Sequence, residues 1–248
     1  MSNILEVCAG DIESVRAAAE GGAARVELCS ALGEGGVTPS IGFIRQALKV
    51  KGVKVHVLIR PRGGNFLYTD EEVDYMVDDI IAAREAGVHG VVIGALDADG
   101  NVDTKACRRM VEAAGGINVT FHRAFDLCRD RKTALEEIIA LGCNRVLTSG
   151  QASSAKEGAA VLAELVTQAH NRITILAGAG VGPDNAAGII AASGTNEIHA
   201  SARHTVGSKM RYRHEGVSMG VPGSDEYSRK VTSAEIVKEI VTNINPQK

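Results

Sequence analysis

The chain has 248 residues, 45% apolar and 23% charged, with 28 glycines, 5 prolines and a formal net charge of −3. That length suits one closed α/β domain with a proper core, and the composition excludes collagen-like and disordered classes. The weakly acidic balance excludes a general electrostatic attraction to nucleic acid or anionic lipid.

The opening, MSNILEVCAGDIES, lacks a basic stretch ahead of an apolar one, so no export signal is read. No apolar run approaches the length of a membrane span. The first short apolar run is ILEV from Ile4, and RVEL follows from Arg25, VKVHVLI from Val53 and GVVIGAL from Gly90. Then come INVTFH from Ile117, NRVLTS from Asn144, ITILAG from Ile173 and NEIHAS from Asn196. The runs recur about every 27 residues, each followed by a turn and an amphipathic stretch, which is the length of one βα unit.

Three helices show their boundaries. Thr69 and Glu72 have capping-box spacing ahead of Val73, Met76, Val77, Ile80 and Ile81, and Gly87 stops the helix. Thr133 and Glu136 repeat the spacing, with Leu135, Ile138 and Ile139 as the apolar face and Gly142 as the stop. Thr232 and Glu235 open the last helix, whose apolar face is Ile236, Val237, Ile240, Val241 and Ile244.

Eight βα units predict a single-domain (β/α)8 TIM barrel over residues 1–248; a doubly wound open sheet is the alternative. Two connections are long. One is Gly-rich, from Cys29 to Pro39; the other, about 201–231, is a candidate lid or oligomer contact.

Strands of a parallel barrel are buried on both faces, so their polar residues need a reason. Glu6 and Cys8 share a parity in the first strand, Glu27 and Cys29 in the second, and His56 and Arg60 in the third. Thr120 and His122 do so in the fifth, His199 and Ser201 in the eighth. The opposite parity must meet apolar helices, so these residues point into the barrel, most of them near the C-terminal strand ends where this fold builds sites. They either form a site or pair as a buried network, Glu6 or Glu27 with Arg60 or Arg123. His56, the deepest, reads as a core histidine. His89, His170, His204 and His214 fall on helix ends or loops and read as solvated.

Glycines after the seventh run, Gly178 and Gly180, allow backbone N–H groups to approach an anion. With Ser201 and Arg203 after the eighth run they form the expected anion subsite. Thr148, Ser149 and Gly150 after the sixth run add hydroxyls, and Arg62 adds a charge beside Arg60. The same glycines could serve only tight turns. The five cysteines are odd in number and scattered, and read as reduced thiols. Cys107, Cys128 and Cys143 are expected to be structural. Cys8 and Cys29 are small buried hydrophobes near the mouth or soft metal ligands.

In block after block the chain resembles the CutC family: EVC at 6–8, RVELCSALGEGGVTPS at 25–40, IRPRGGNFLYTD at 59–70 and VTFHRAFD at 119–126. RVLTSGQ at 145–151, HASAR at 199–203, MRYR at 210–213 and EYS at 226–228 extend the likeness over nearly the whole chain. The resemblance implies a (β/α)8 barrel, a cytoplasmic location, self-association into a homo-oligomer and a role in copper homeostasis. It also implies that Cu(I) is held by two cysteines, at positions matching Cys8 and Cys29.

Three functions follow as expectations. The first is copper handling through Cys8 and Cys29. The second is an enzyme acting on a small phosphorylated or carboxylated metabolite. There His122 is the general acid/base, Glu6 or Glu27 its partner, Arg60 and Arg123 the anion clamps, and Asp97 and Asp126 orienting groups or divalent-ion ligands. The third is a structural or interaction protein on an inherited barrel whose old site has decayed. No lysine ends a strand, which argues against a Schiff-base aldolase. No Rossmann or P-loop signature indicates a nucleotide cofactor.

Overall fold

A computed structural model describes residues 2–214, 216–217 and 225–246. Strands β1 (Ile4–Ala9), β2 (Arg25–Leu28), β3 (Lys54–Leu58), β4 (Gly90–Ile93), β5 (Asn118–Phe121), β6 (Arg145–Thr148), β7 (Thr174–Ala177) and β8 (Glu197–Ala200) follow one another around a closed parallel barrel. Each grows from one of the eight apolar runs. Seven of the eight helices follow β1 to β7: α1 (Ile12–Glu20), α2 (Ile41–Ala47), α3 (Asp70–Glu85), α4 (Thr104–Ala114), α5 (Arg131–Ala140), α6 (Ala159–Ala169) and α7 (Ala186–Ser193). The last, α8 (Ala234–Ile244), packs beside α1 and α7 and completes the ring.

The apolar core lies between barrel and helices, where Val15, Met76, Ile80, Met110, Leu135, Ile138, Leu162 and Ile240 meet Leu5, Leu28, Ile59 and Phe121. Burying such side chains contributes roughly 1.5–3 kcal/mol each and closes the ring.

The helix starts are set by local hydrogen bonds. Thr69 and Glu72 form the reciprocal capping box read from their spacing, and Gly87 turns the chain at φ +93°. The other two starts differ from expectation. Asp130 caps α5, accepting from the N–H groups of Lys132 and Thr133, so Thr133 lies inside the first turn. A carboxylate that reaches both free amides outcompetes a hydroxyl placed three residues later. Ser233 caps α8, accepting from Ile236 N–H, and Thr232 ends a strand.

The second long connection carries a two-stranded antiparallel ribbon of β9 (Arg203–Gly207) and β10 (Ser228–Thr232). Its return strand is tied to α1: the Thr232 N–H donates to Ser14 Oγ at 3.1 Å, and Arg229 reaches Asp11 and Glu13 at 3.4 and 2.5 Å. Residues 215 and 218–224 of this connection lie outside the described residues.

Candidate active site at the mouth of the barrel

The barrel interior is polar in its lower half. Arg25, 3% exposed, bonds Glu6 and lies 2.6 Å from Glu197. Arg145 Nε holds the same Glu197 oxygen at 2.8 Å. Burial alone would raise the Glu6 carboxyl, but Arg25 and His199 hold it well below the usual carboxylate range. The arginines that pair these carboxylates are therefore Arg25 and Arg145, not Arg60 and Arg123. Arg25, Arg145 and Glu197 escaped the sequence reading because each is the first residue of its strand, far from the C-terminal ends. The parity signal was available, since Arg25 is in step with Glu27, Arg145 with Leu147, and Glu197 with His199.

Glu6 joins this network to the mouth. Its Oε1 lies 2.8 Å from His199 Nδ1, and His199 Nε2 lies 3.7 Å from Glu27. Burial alone would lower the His199 pKa; contacts with Cys8 and Glu6 and the charge of Glu27 outweigh it and keep the imidazole protonated well above its usual range. Burial raises the Glu27 carboxyl against the pull of His199. Burial, then the Glu27 and Cys8 charges, push the Cys29 thiol well up, and its Sγ lies 3.5 Å from Glu27 Oε2.

Above these groups a cavity of about 420 Å³ opens at the C-terminal ends of the strands. Its wall includes Cys8, Glu27, Cys29, Arg60, His122 and His199, closed on one side by Phe66 and on the other by Gly180, Ser201 and Arg203. The sequence thus placed most of its inward polar residues at one mouth. Cys8 and Cys29 pack together in a small cluster with Leu58, Val92 and Leu32. His122, 5% exposed, is driven down to about 3 by burial and by the nearby Arg60 charge. His56 is buried below the cavity, is also pushed down to about 3 by burial, and its Nδ1 has no partner among the described residues.

Arg60 lines the cavity with both terminal nitrogens of its guanidinium occupied, while its buried Nε has no partner among the described residues. It donates to the carbonyls of Glu34, Gly36 and Gly64 at 3.0, 2.8 and 2.9 Å, pinning the Gly-rich loop after β2 to the loop after β3. Gly36 suits this packing, at φ +91° with Leu58 where a Cβ would stand. Arg62 points away to Glu72 at 2.6 Å and is not part of the wall. Arg123 reaches the wall while bonded to Asp126 at 2.7 Å and Ser149 at 3.2 Å. Asp126 acts as a strut for the loop after β6. It accepts from Thr148 Oγ1 at 2.5 Å, from Ser149 Oγ at 3.0 Å, and from the N–H groups of Ser149 and Gln151. Asp97 folds back on its own turn, accepting from the N–H groups of Asp99 and Asn101, and stands outside the cavity wall. Glu6 is sealed beneath it, fully buried.

On the far side, Gly178 N–H is used by Thr148 O, and its lack of a Cβ makes room for Leu147 and His199. The next residues, Ala179 and Gly180, both turn through positive φ. Among the described residues the N–H groups of Ala179, Gly180 and Val181 donate no hydrogen bond within the protein. Arg203, exposed, makes no ion pair among the described residues.

The sequence profile of the CutC family matches residues 3–204. The chain belongs to the CutC family. The CutC protein of Chromobacterium violaceum is 55% identical, covering 97% of both chains, and that of Bacteroides fragilis 49% identical, covering 98% of both. A crystal structure of CutC from Streptococcus agalactiae, named there for copper homeostasis, is 36% identical. It superposes with a TM-score of 0.77 over 80% of this chain and 98% of its own. An aldolase, QR15, at 18% identity and TM-score 0.62 shares the fold alone.

Proposed function

We propose that this CutC-family protein is an enzyme that binds a small phosphorylated or carboxylated metabolite at the barrel mouth and moves a proton on it. The observation that carries the reading is the split character of the cavity. Its rim offers unused cationic and N–H groups, Arg203 and the 179–181 backbone; its floor offers a titratable pair, buried Glu27 and half-buried His199. Backbone N–H groups and a guanidinium suit a phosphate or carboxylate. A carboxyl raised by burial suits a general base near neutrality, and an imidazolium beside it suits the returning acid. Glu6, Arg25 and Arg60 position these groups from beneath and from the loops. Five free thiols suit a reducing, cytoplasmic setting, and exposed Met210, Tyr212 and Val217 suit self-association.

The test is a thermal-shift and calorimetric titration of the whole chain with inorganic phosphate and a panel of phosphorylated and carboxylated metabolites. Binding is expected to weaken at least tenfold in Arg203→Ala. Glu27→Gln is expected to retain binding and lose turnover. No binding by phosphate or by any panel member, or binding indifferent to Arg203→Ala, overturns the reading.

A second reading rests on a separate observation: Cys8 and Cys29 belong to one small cluster on the cavity wall. The family's name points to copper homeostasis, and two thiols suit a low-coordinate Cu(I). Among the described residues no three His, Cys, Asp or Glu side chains are grouped to hold a metal, so such an ion would rest on these two sulfurs. Its check is a Cu(I) titration of the reduced protein against a competing chelator. One tight site lost in both Cys8→Ser and Cys29→Ser supports it; binding indifferent to both removes it.

A further inference from the structure

His122 follows β5 and caps a 3₁₀ turn over Arg123–Leu127. Its Nδ1 accepts a hydrogen bond from the backbone N–H of Ala124 at 3.2 Å. An amide nitrogen only donates, so Nδ1 carries the lone pair and a neutral ring holds its proton on Nε2. No carboxylate contacts this ring among the described residues. Its neighbours are the Phe66 ring, with centroids 4.8 Å apart, and Arg60, whose guanidinium stands over Phe66. Burial and a nearby cation both disfavour a second proton. Gly94 is what admits the ring: a Cβ there would fall 2.5 Å from Cε1 and 2.6 Å from Nδ1.

Nε2 has no hydrogen-bond partner among the described residues, although it is buried and the ring lines the cavity. A buried N–H without a protein partner calls for an explanation, and at a cavity wall a polar atom of a bound ligand can supply the missing acceptor. Building on the mouth as an anion-binding enzyme site, we infer that His122 is a neutral Nε2–H donor to a carbonyl oxygen of the ligand, making the substrate a small carbonyl compound that bears an anionic group. This differs from the acid/base role expected of His122 from sequence. Neutral imidazoles play this electrophilic part elsewhere on the barrel fold. When a proton leaves the carbon next to the carbonyl for the base Glu27, the C–H electron pair becomes the new C=C bond. The carbonyl π pair moves onto oxygen, and the oxyanion accepts from Nε2–H, which keeps its proton.

The first measurement is ¹⁵N NMR of the imidazoles of the ligand-free full chain at pH 7, with His122→Phe used for assignment. A protonated Nε2 and an unprotonated Nδ1 support the inference. A protonated Nδ1, or an imidazolium, overturns it whatever the site binds. The second is infrared difference spectroscopy with dihydroxyacetone phosphate ¹³C-labelled at its carbonyl, alongside an inorganic phosphate titration. The carbonyl band is expected to move to lower frequency on binding, to lose most of that shift in His122→Phe, and to keep it in His122→Gln, whose amide N–H can replace Nε2–H. Binding with an unshifted band, or a shift that survives in His122→Phe, overturns the donor role alone. Failure of phosphate to bind overturns the anion-site reading and leaves the tautomer result standing.

Discussion

Arg25→Met should be among the most destabilising single changes in the barrel. Arg25 is buried and pairs two carboxylates that are themselves buried, Glu6 and Glu197. Removing it does not strand both completely, because Arg145 keeps Glu197 and His199 keeps Glu6, each at 2.8 Å. Breaking a buried pair from one side costs about 3–5 kcal/mol. At 2–4 °C per kcal/mol for a chain of this size, the melting temperature should fall by about 6–20 °C. The exposed pair Arg172–Glu136, at 2.7 Å, is the control: Arg172→Ala should lower the melting temperature far less than Arg25→Met.

The sign with pH follows from Glu6. Its native pKa is held below the unfolded value, so its stabilisation is present above about 4.3 and is lost as pH falls toward the native pKa. In the variant the carboxyl retains its burial without Arg25, and protonation relieves that charge. The gap between wild type and variant should therefore narrow as pH drops from 7 toward 4. Urea denaturation followed by circular dichroism at both pH values measures it. A cost below about 1 kcal/mol at pH 7, or a gap that widens on acidification, refutes the idea that this network is a strongly coupled buried one.

Gly94→Ala should displace the His122 ring, costing about 1–3 kcal/mol and altering the His122 imidazole NMR signals; an unchanged ring would contradict the close approach of Gly94. His122 should stay neutral on titration from pH 8 to about pH 4, because burial and Arg60 hold it near 3; NMR detection of protonation near 6.5 would refute this. Thiol labelling of the native protein at neutral pH should be slow and should reach Cys8 first, since at 9% it is the most exposed of the five and it lines the cavity. Mass spectrometry of the labelled peptides reads the order. Asp126→Ala should cost about 1–3 kcal/mol by leaving the Thr148 and Ser149 groups without their acceptor, with faster amide exchange at 148–151 as the local readout.

The amino-acid order by itself determined eight parallel βα units, and the tertiary structure closed them into a barrel. Eight Val/Ile/Leu-rich runs at one βα spacing can bury their backbone only as parallel strands covered by helices, and each run became a strand. Strand parity likewise placed Cys8, Glu27, Cys29, His122 and His199 inside, because alternation is a local property of the chain. Cap positions were less legible. At α5 and α8 the competing acceptors Asp130 and Ser233 stand beside the residues that matched the motif, and only the backbone path chooses among them.

Which inward charges meet was decided by tertiary structure alone. The stagger of a closed barrel brings Arg25 against Glu6 and Glu197, residues 19 and 172 positions away, and no sequence spacing encodes that. It also gave the two arginines of IRPR different duties, Arg60 bonded to three loop carbonyls and Arg62 drawn out to Glu72. The tautomer of His122 belongs to the same class. It depends on one backbone N–H delivered by a 3₁₀ turn and on a glycine 28 residues earlier, directly after β4. Periodicity reports which face a side chain takes; only the packed fold determines its partners, and partners set charge and proton position.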